Sequence, residues 1–496
     1  MMKKRITAML LGGMLCLCAA GAQALTLTGL ETEAVERIWA KNKFFARMEA
    51  LTGIDVEPTG IAEEEEYAAM LDQMMKGDVT ADVLFKAGLT RTQERALLDS
   101  GALIDLSSLI DENMPNLSAM LAAHPEWRDV IALEDGRIAS LPLINQKERQ
   151  TVMWINKAWL DKLGLAMPTT LDELEAALLA MASGDPNGNG KKDEAGADLT
   201  GMYEMRWLLP YFGIVADDYH LARDAHNEIV FAPELAEYRA FVQMLKDWND
   251  KGVLPADAFT RVHASTALAS ADEDEPVTSG MLLSVTPYTH VKAEAVTDYE
   301  PLLLSGPDSR MRWRDLLGEV WTGCFAVTSR CADPAQALKW VDALYAEEGA
   351  ILGYAGVENE DFTVTEEGYW AFGVKGNQDV SLLRSEVLMY TGVTMPGVYP
   401  ADFIHRVDSA LDRHVFEASE KVRAVSERVT QPYALDEEAQ ARANELAVQI
   451  GRLVDEGVAR FATGEIELND ENYEAWLKQL REAGSEELTA LFAHCR

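Results

Sequence analysis

The chain has 496 residues, 48% of them apolar, with 44 Lys and Arg against 82 Asp and Glu. That length suits two large lobes or three small domains. A net charge of −38 opposes nucleic acid and anionic membrane surfaces as partners, and it disfavours a polyanionic ligand.

Lys3, Lys4 and Arg5 precede an apolar run from Ile6 to Ala20. Ala22-Gln23-Ala24 then supplies a small-x-small cleavage site, so residues 1–24 are expected to be a secretory signal. The run is too short for a membrane span. Cleavage before Leu25 removes three basic residues and no acid, leaving 41 Lys and Arg against 82 acids, a charge of −41. Ile54–Glu57 and Ala81–Phe85 read as short strands. Between them, Tyr67, Met70, Leu71 and Met74 recur at helical spacing over residues 63–76. Glu63 to Glu66 sit where a helix N-terminus favours negative charge. They read as a solvated helix start rather than a partner patch.

Thr170-Leu171-Asp172-Glu173 fits a capping box, with Leu171, Leu174, Leu178 and Met181 on one face. The next segment carries the most specific signal. Residues 185–194, DPNGNGKKDE, put oxygen side chains at alternate positions: Asp185, Asn187 and Asn189. Gly190 then allows a sharp turn, Lys191 offers its carbonyl, and Asp193 and Glu194 add carboxylates. Hard divalent cations take six to eight such oxygens, so a structural Ca2+ is expected. The twelfth position, where an EF-hand carries a bidentate Glu, is Gly196. Asp193 and Glu194 are the replacements. The bland alternative is a polar turn between helices.

Further on, Tyr238, Phe241, Val242, Leu245 and Trp248 form a helical stripe, as do Leu446, Ile450, Leu453, Val454, Val458 and Phe461. Cys324 and Cys331 flank an extended Phe325–Thr328. At about 3.3 Å per residue they lie roughly 20 Å apart and cannot pair. With Cys495 they read as packing residues. None of the eight His residues forms an H-x-x-x-H pair, and the chain has no C-x-x-C, Walker loop, G-x-G-x-x-G or G-x-S-x-G. No segment proposes catalysis, and no enzyme is expected. Early strand–helix alternation followed by helices argues for α/β lobes.

Several local patterns share one order. Phe44-Phe45 leads to Thr52-Gly53-Ile54, and Gly101–Leu106 to Met114-Pro115-Asn116-Leu117. Trp159–Leu165 with Pro168-Thr169-Thr170 precedes the Asp185 loop. Gly252-Val253-Leu254, Trp340-Val341-Asp342 and Trp476–Leu480 follow. From about Trp39 to Leu491 the chain resembles the family 1 extracellular solute-binding proteins of ABC transporters, especially the oligosaccharide subgroup. That resemblance implies a two-lobed α/β fold of the periplasmic-binding-protein type (type II). It implies chain crossings near 141–153, 281–291 and 345–354. The N-terminal lobe would be 25–148 plus 292–346, and the C-terminal lobe, carrying the metal loop, 149–291 plus 347–496. Many relatives are lipoproteins, but Cys16 and Cys18 each follow Leu, so no lipid anchor is expected.

The resemblance further implies an oligosaccharide ligand between the lobes, a membrane permease as partner, and a monomer outside the cytoplasmic membrane, periplasmic or at the surface. Sugars take aromatic platforms and convergent polar groups. The segments at expected crossings and lobe edges supply Asn145 and Gln146; Tyr203, Arg206 and Trp207; Tyr288; Trp321; and, less centrally, Trp370. For Trp207 and Trp321 the bland alternative is core packing. For Asn145 and Gln146 it is satisfaction of hinge backbone. The rival function is a secreted, calcium-containing polysaccharide hydrolase or lyase.

Overall fold

The computed structural model describes residues 24–31, 38–146, 149–199, 201–260, 277–287, 290–315, 319–372, 386–389, 394–403, 406, 410–428 and 435–493. The expected signal up to Gln23, Tyr288 and Cys495 lie outside the described residues.

In chain order the strands are β1 (Leu25–Leu30), β2 (Val56–Ile61), β3 (Val83–Phe85), β4 (Leu141–Asn145), β5 (Val152–Asn156), β6 (Ala195–Ala197), β7 (Leu221–Arg223) and β8 (Ile229–Phe231). There follow β9 (Ser279–Ser284), β10 (Tyr299–Pro301), β11 (Trp313–Asp315), β12 (Val320–Val327), β13 (Phe362–Val364), β14 (Trp370–Phe372), β15 (Gly397–Tyr399) and β16 (Ser426–Arg428). Two sheets organise them. The first runs β15-β4-β12-β3-β1-β2 and the second β10-β5-β9-β6.

The first sheet is parallel except for β12, which runs against β3 and β4. Helices cover it, so β3 is buried along its whole length and reads as an unbroken apolar run. The helix Glu64–Met75 buries Tyr67, Leu71 and Met74 and begins with three Glu, as its pattern predicts. Phe85 meets Trp340 edge-on at 5.6 Å, and Phe44 meets Phe45 at 5.2 Å. Such edge-to-face pairs are a favoured aromatic packing.

The second sheet is centred on β5, buried throughout and antiparallel to β9 and β10. The helices Leu171–Ser183, Ala236–Lys251 and Glu437–Ala462 pack around it. The stripes expected at 238–248 and 446–461 lie within the last two. At Thr170 the capping box is only half formed. Thr170 Oγ1 accepts from Glu173 N at 3.3 Å, but the Glu173 carboxylate turns to Thr169, bonding its N and Oγ1 at 2.8 Å each. Thr169 offers two donors where the Thr170 backbone offers one. A complete box forms instead at Thr90 and Gln93.

Packing divides the chain differently from the expected boundaries. Val296, Tyr299, Leu302, Leu304 and Trp313 belong to the second core, because β10 pairs with β5. Leu352, Phe362, Trp370, Val398 and Phe403 belong to the first core. β4 and β5 therefore lie in different cores, as do β11 and β12, and as do Phe403 and the helix that begins at Ala410. The crossings expected near 281–291 and 345–354 lie inside single cores. Cys324 and Cys331 are buried free thiols.

Candidate functional site

Strand direction decides which edges meet. The five parallel strands of the first sheet end on one edge, and antiparallel β12 begins there. β4 leaves from that edge through 146–151 into β5. In the second sheet β5 therefore starts beside the crossing. β9, antiparallel to it, ends there at Ser284, and β6, parallel to β9, leaves on the same side toward Gly201. The β4-to-β5 connection thus joins this edge of the first sheet to the edge of the second where β9 ends and β6 leaves. Open α/β sheets bind ligands at carboxyl strand ends.

Topology brings several expected residues to this place. Asn145 ends β4, paired in register with Tyr399. Its N–H donates to Glu319 O at 2.7 Å, and Gln146 N donates to Tyr399 O at 2.9 Å. The bland alternative for these two, hinge backbone satisfaction, thus holds at the main chain. Gln146 Oε1 also accepts from Ala401 N at 3.4 Å. Trp321 lies opposite Leu143 where β12 slips register between Trp321 and Phe325. Such bulges re-aim side chains and favour sites. Trp321 is half-buried, and its Nε1 is shielded from solvent with no hydrogen-bond partner.

From the second sheet come Tyr203 and Arg206, on the turn of helix and 3-10 helix that follows β6. Tyr203 is 40% exposed, and the Arg206 guanidinium lies 5.9 Å from its ring centre. Two other expected residues are packed away. Trp207 is 2% exposed, between Trp313 at 5.7 Å and the Arg314 guanidinium at 4.6 Å. Trp370 stands in the β13–β14 hairpin, and at 7% exposure it packs on Phe362 and Phe403.

Sequence reasoning missed Glu31 and Lys86, at the ends of β1 and β3. Lys86 Nζ lies 3.4 Å from Glu31 Oε1, Trp39 Nε1 donates to the other oxygen at 2.8 Å, and both charges are buried. Lys86 sits at φ 52°, a left-handed conformation that a non-glycine residue seldom adopts. The available signal was a charged residue directly after the apolar run Val83-Leu84-Phe85.

Behind Arg206 lies a buried polar cluster. Arg206 Nη1 is 3.4 Å from His220 Nε2, and Asp217 accepts from Tyr219 N and Leu221 N at 2.9 and 2.8 Å. Burial, with Arg206 and Arg314 nearby, pushes His220 down to about 3, and burial pushes Asp217 up to about 7. The signs oppose. Asp217 holds a proton in the folded chain that it loses when unfolded above 3.8, so its contribution is full below that pH and fades as pH rises to 7. His220 contributes above about 6.5 and loses that contribution as pH falls. Asp217→Asn keeps both acceptor bonds and cannot ionise. Relative to the parent it is expected to gain about 2–4 kcal/mol between pH 4.5 and 8, measured by denaturant unfolding. Parallel stability curves for the two proteins would refute this.

The 185–194 loop leads into β6 at the end opposite its exit toward Tyr203, so it lies away from the joined edges. Gly188 and Gly190 take positive φ, 78° and 75°. Asp185 Oδ2 accepts from Gly190 N at 2.9 Å, and Asn187 and Asn189 cap the backbone at Asn189 and Lys191. The Asn189 amide lies on Asp193, at 3.1 and 3.0 Å from its two oxygens. Among the described residues no group of three or more His, Cys, Asp or Glu is gathered as a metal site. Glu194 is the exception to local satisfaction: it is 8% exposed, and both carboxylate oxygens are buried without a hydrogen-bond partner. An unpartnered buried carboxylate beside an all-oxygen donor set fits a hard cation.

A separate groove of about 820 Å³, lined by Phe212, Ile214, Arg223, Pro307, Arg312 and Glu427, opens beside the β7–β8 hairpin. Its Arg312 is paired with Asp308 and Glu427, and none of the expected ligand residues lines it.

Residues 29–253 match the family model described as bacterial extracellular solute-binding protein. Over 95% of this chain and 98% of the other, the structure superposes with TM-score 0.75 and 21% identity on an HMO-binding, ABC-transporter-associated solute-binding protein from Bifidobacterium longum infantis. The fold is the two-lobed solute-binding fold. A curated relative, the fructooligosaccharide ABC transporter substrate-binding protein FusA of Streptococcus pneumoniae serotype 4, is 28% identical over 327 residues. That match covers 64% of this chain and 60% of FusA, so the chain spans under two thirds of the relative's length. A FusA EF-hand mutant in complex with fructo-nystose superposes with TM-score 0.62 and 20% identity, covering 95% of this chain and 98% of that one. No described helix is long and apolar enough to cross a membrane.

Proposed function

We propose that this chain is an extracytoplasmic solute receptor that binds an oligosaccharide between its two lobes and delivers it to an ABC importer permease. One observation supports the proposal: the β4-to-β5 crossing joins the edge of the first sheet where β4 ends and β12 begins, elements that carry Asn145 and Trp321, to the edge of the second where β6 leaves toward Tyr203 and Arg206. Tyr288 keeps its place among the proposed ligand residues through its position just past Ser284. Trp207 and Trp370 would act by packing behind the site. Hinge motion about the crossings would close the lobes on ligand. The family match and the binding proteins found as relatives support the same reading.

A calcium ion would be held by Asp185, Asn187, Asn189, the Lys191 carbonyl, Asp193 and Glu194. When bound it would supply positive charge to Glu194 and rigidity to the connection before β6. The FusA EF-hand mutant supports a metal loop in this fold. The receptor binds without turnover, acts as a monomer, and works outside the cytoplasmic membrane.

Calorimetry of the calcium-loaded mature chain against an oligosaccharide panel tests this. The expected result is saturable one-to-one heat with at least one sugar and no new reducing ends. Heat with a peptide but no sugar would defeat the sugar assignment, and released reducing ends would favour the hydrolase.

A further inference from the structure

Resting on the receptor reading, the geometry points to a neutral oligosaccharide, one without uronate or other acidic groups, with the Trp321 indole N–H donating to a ligand hydroxyl.

The first observation is how cations stand at the joined edges. Lys86 is set against Glu31 at 3.4 Å, at the ends of β3 and β1. Arg423, on the helix Ala410–Arg423 of the second core, reaches across to Glu319 at 3.1 Å. Arg314, beside Trp207, pairs with Asp218 at 2.8 Å. Arg206, the cation among the proposed ligand residues, lies 3.4 Å from His220 Nε2, with the Tyr203 ring centre 5.9 Å from its guanidinium. Lys86, Arg314 and Arg423 thus each have a carboxylate of their own. A uronate entering between the lobes would have to displace one of those carboxylates or sit beside it unscreened. The net charge of −38 adds a repulsive field at longer range. A neutral polyol meets neither cost. It can accept and donate hydrogen bonds among paired charges without disturbing them.

The second observation is Trp321. Its side chain is half-buried at the start of β12, yet Nε1 is out of solvent and has no partner. A buried N–H left unmade costs about 1–3 kcal/mol. Indole is a donor only, so the missing partner is an acceptor, and a sugar hydroxyl oxygen supplies one. Its ring offers an apolar face for the C–H side of a pyranose or furanose. The register slip after Trp321 gives the position its departure from the regular pleat.

The test titrates the calcium-loaded mature chain with a neutral fructo-oligosaccharide, neutral milk-type oligosaccharides and a uronate trimer, each at 20 and 300 mM NaCl. At least one neutral sugar is expected to bind, with affinity changing less than about twofold with salt, and the uronate about 100-fold more weakly or not at all. Trp321→Phe keeps a ring and removes the N–H, and is expected to weaken the neutral sugar about tenfold. Tight uronate binding that fades steeply with salt would overturn the inference, as would an unchanged affinity in Trp321→Phe. Binding of neither class would overturn the oligosaccharide reading itself, and this inference with it.

Discussion

Chelation of divalent cations is expected to lower the melting temperature of the mature chain by about 5–10 °C, and added calcium to restore it. A ligand held only by the folded state contributes about 2.7 kcal/mol at 100 times its dissociation constant. In a domain of this size each kcal/mol is worth about 2–4 °C. The physical source is Glu194. Its carboxylate is buried with both oxygens unpartnered, so in the metal-free chain it carries desolvation without return. Two substitutions separate this from a general salt effect. Asp185→Asn removes a charge whose oxygen also bonds Gly190 N, and it is expected to blunt the calcium response. Glu194→Gln removes the unpartnered charge itself. It is expected to abolish the response while leaving the chelated protein no less stable than the parent, since a neutral amide is easier to bury than a carboxylate. Identical melting curves with and without calcium would mean that the loop is a polar turn, capped by its own Asn side chains.

The parts of this architecture legible from sequence are those whose cause is local. Helix stripes such as Tyr238 to Trp248 are set by 3.6-residue spacing, and the structure buries all five residues. All three expected crossings came from the family resemblance; at the first, the apolar Leu141–Ile144 run gives way to polar residues. The later crossings had no such mark. Tyr299 and Leu302 are apolar residues that suit either core. What places them is the register of β10 on β5, which pairs Tyr299 with Asn156. The same holds for single aromatics. Trp207 is buried by Trp313, and Trp370 by Phe403. Neither partner is visible in the local sequence. Trp321 differs in lying beside a register slip in β12.

That slip depends on a buried charge, and removing the charge is expected to be the costliest single change in the first lobe. Glu94, 0% exposed, accepts from Arg91 Nη1 at 2.6 Å on one oxygen and from Ser140 Oγ on the other. Ser140 Oγ in turn accepts from Gly323 N at 2.8 Å. Gly323 sits in the slip between Trp321 and Phe325 at φ 79°, where a Cβ would lie 2.1 Å from Leu89 O. Helix, strand and bulge are thus tied by one chain of hydrogen bonds ending two residues from Trp321. Glu94→Ala leaves Arg91 buried with only the Ile131 and Ala132 carbonyls. It is expected to cost about 3–5 kcal/mol, as breaking a buried pair does. Glu94→Gln, similar in shape, should cost less. Ser140→Ala strands Gly323 N and one Glu94 oxygen, for about 1–3 kcal/mol. Because the freed bulge carries Trp321, its oligosaccharide affinity is expected to fall about tenfold at temperatures where the variant remains folded. Equal denaturation midpoints for Glu94→Ala and the parent would show that the pair returns no more than its desolvation costs. A Ser140→Ala variant that loses stability but keeps full affinity would separate the bulge from the binding of ligand.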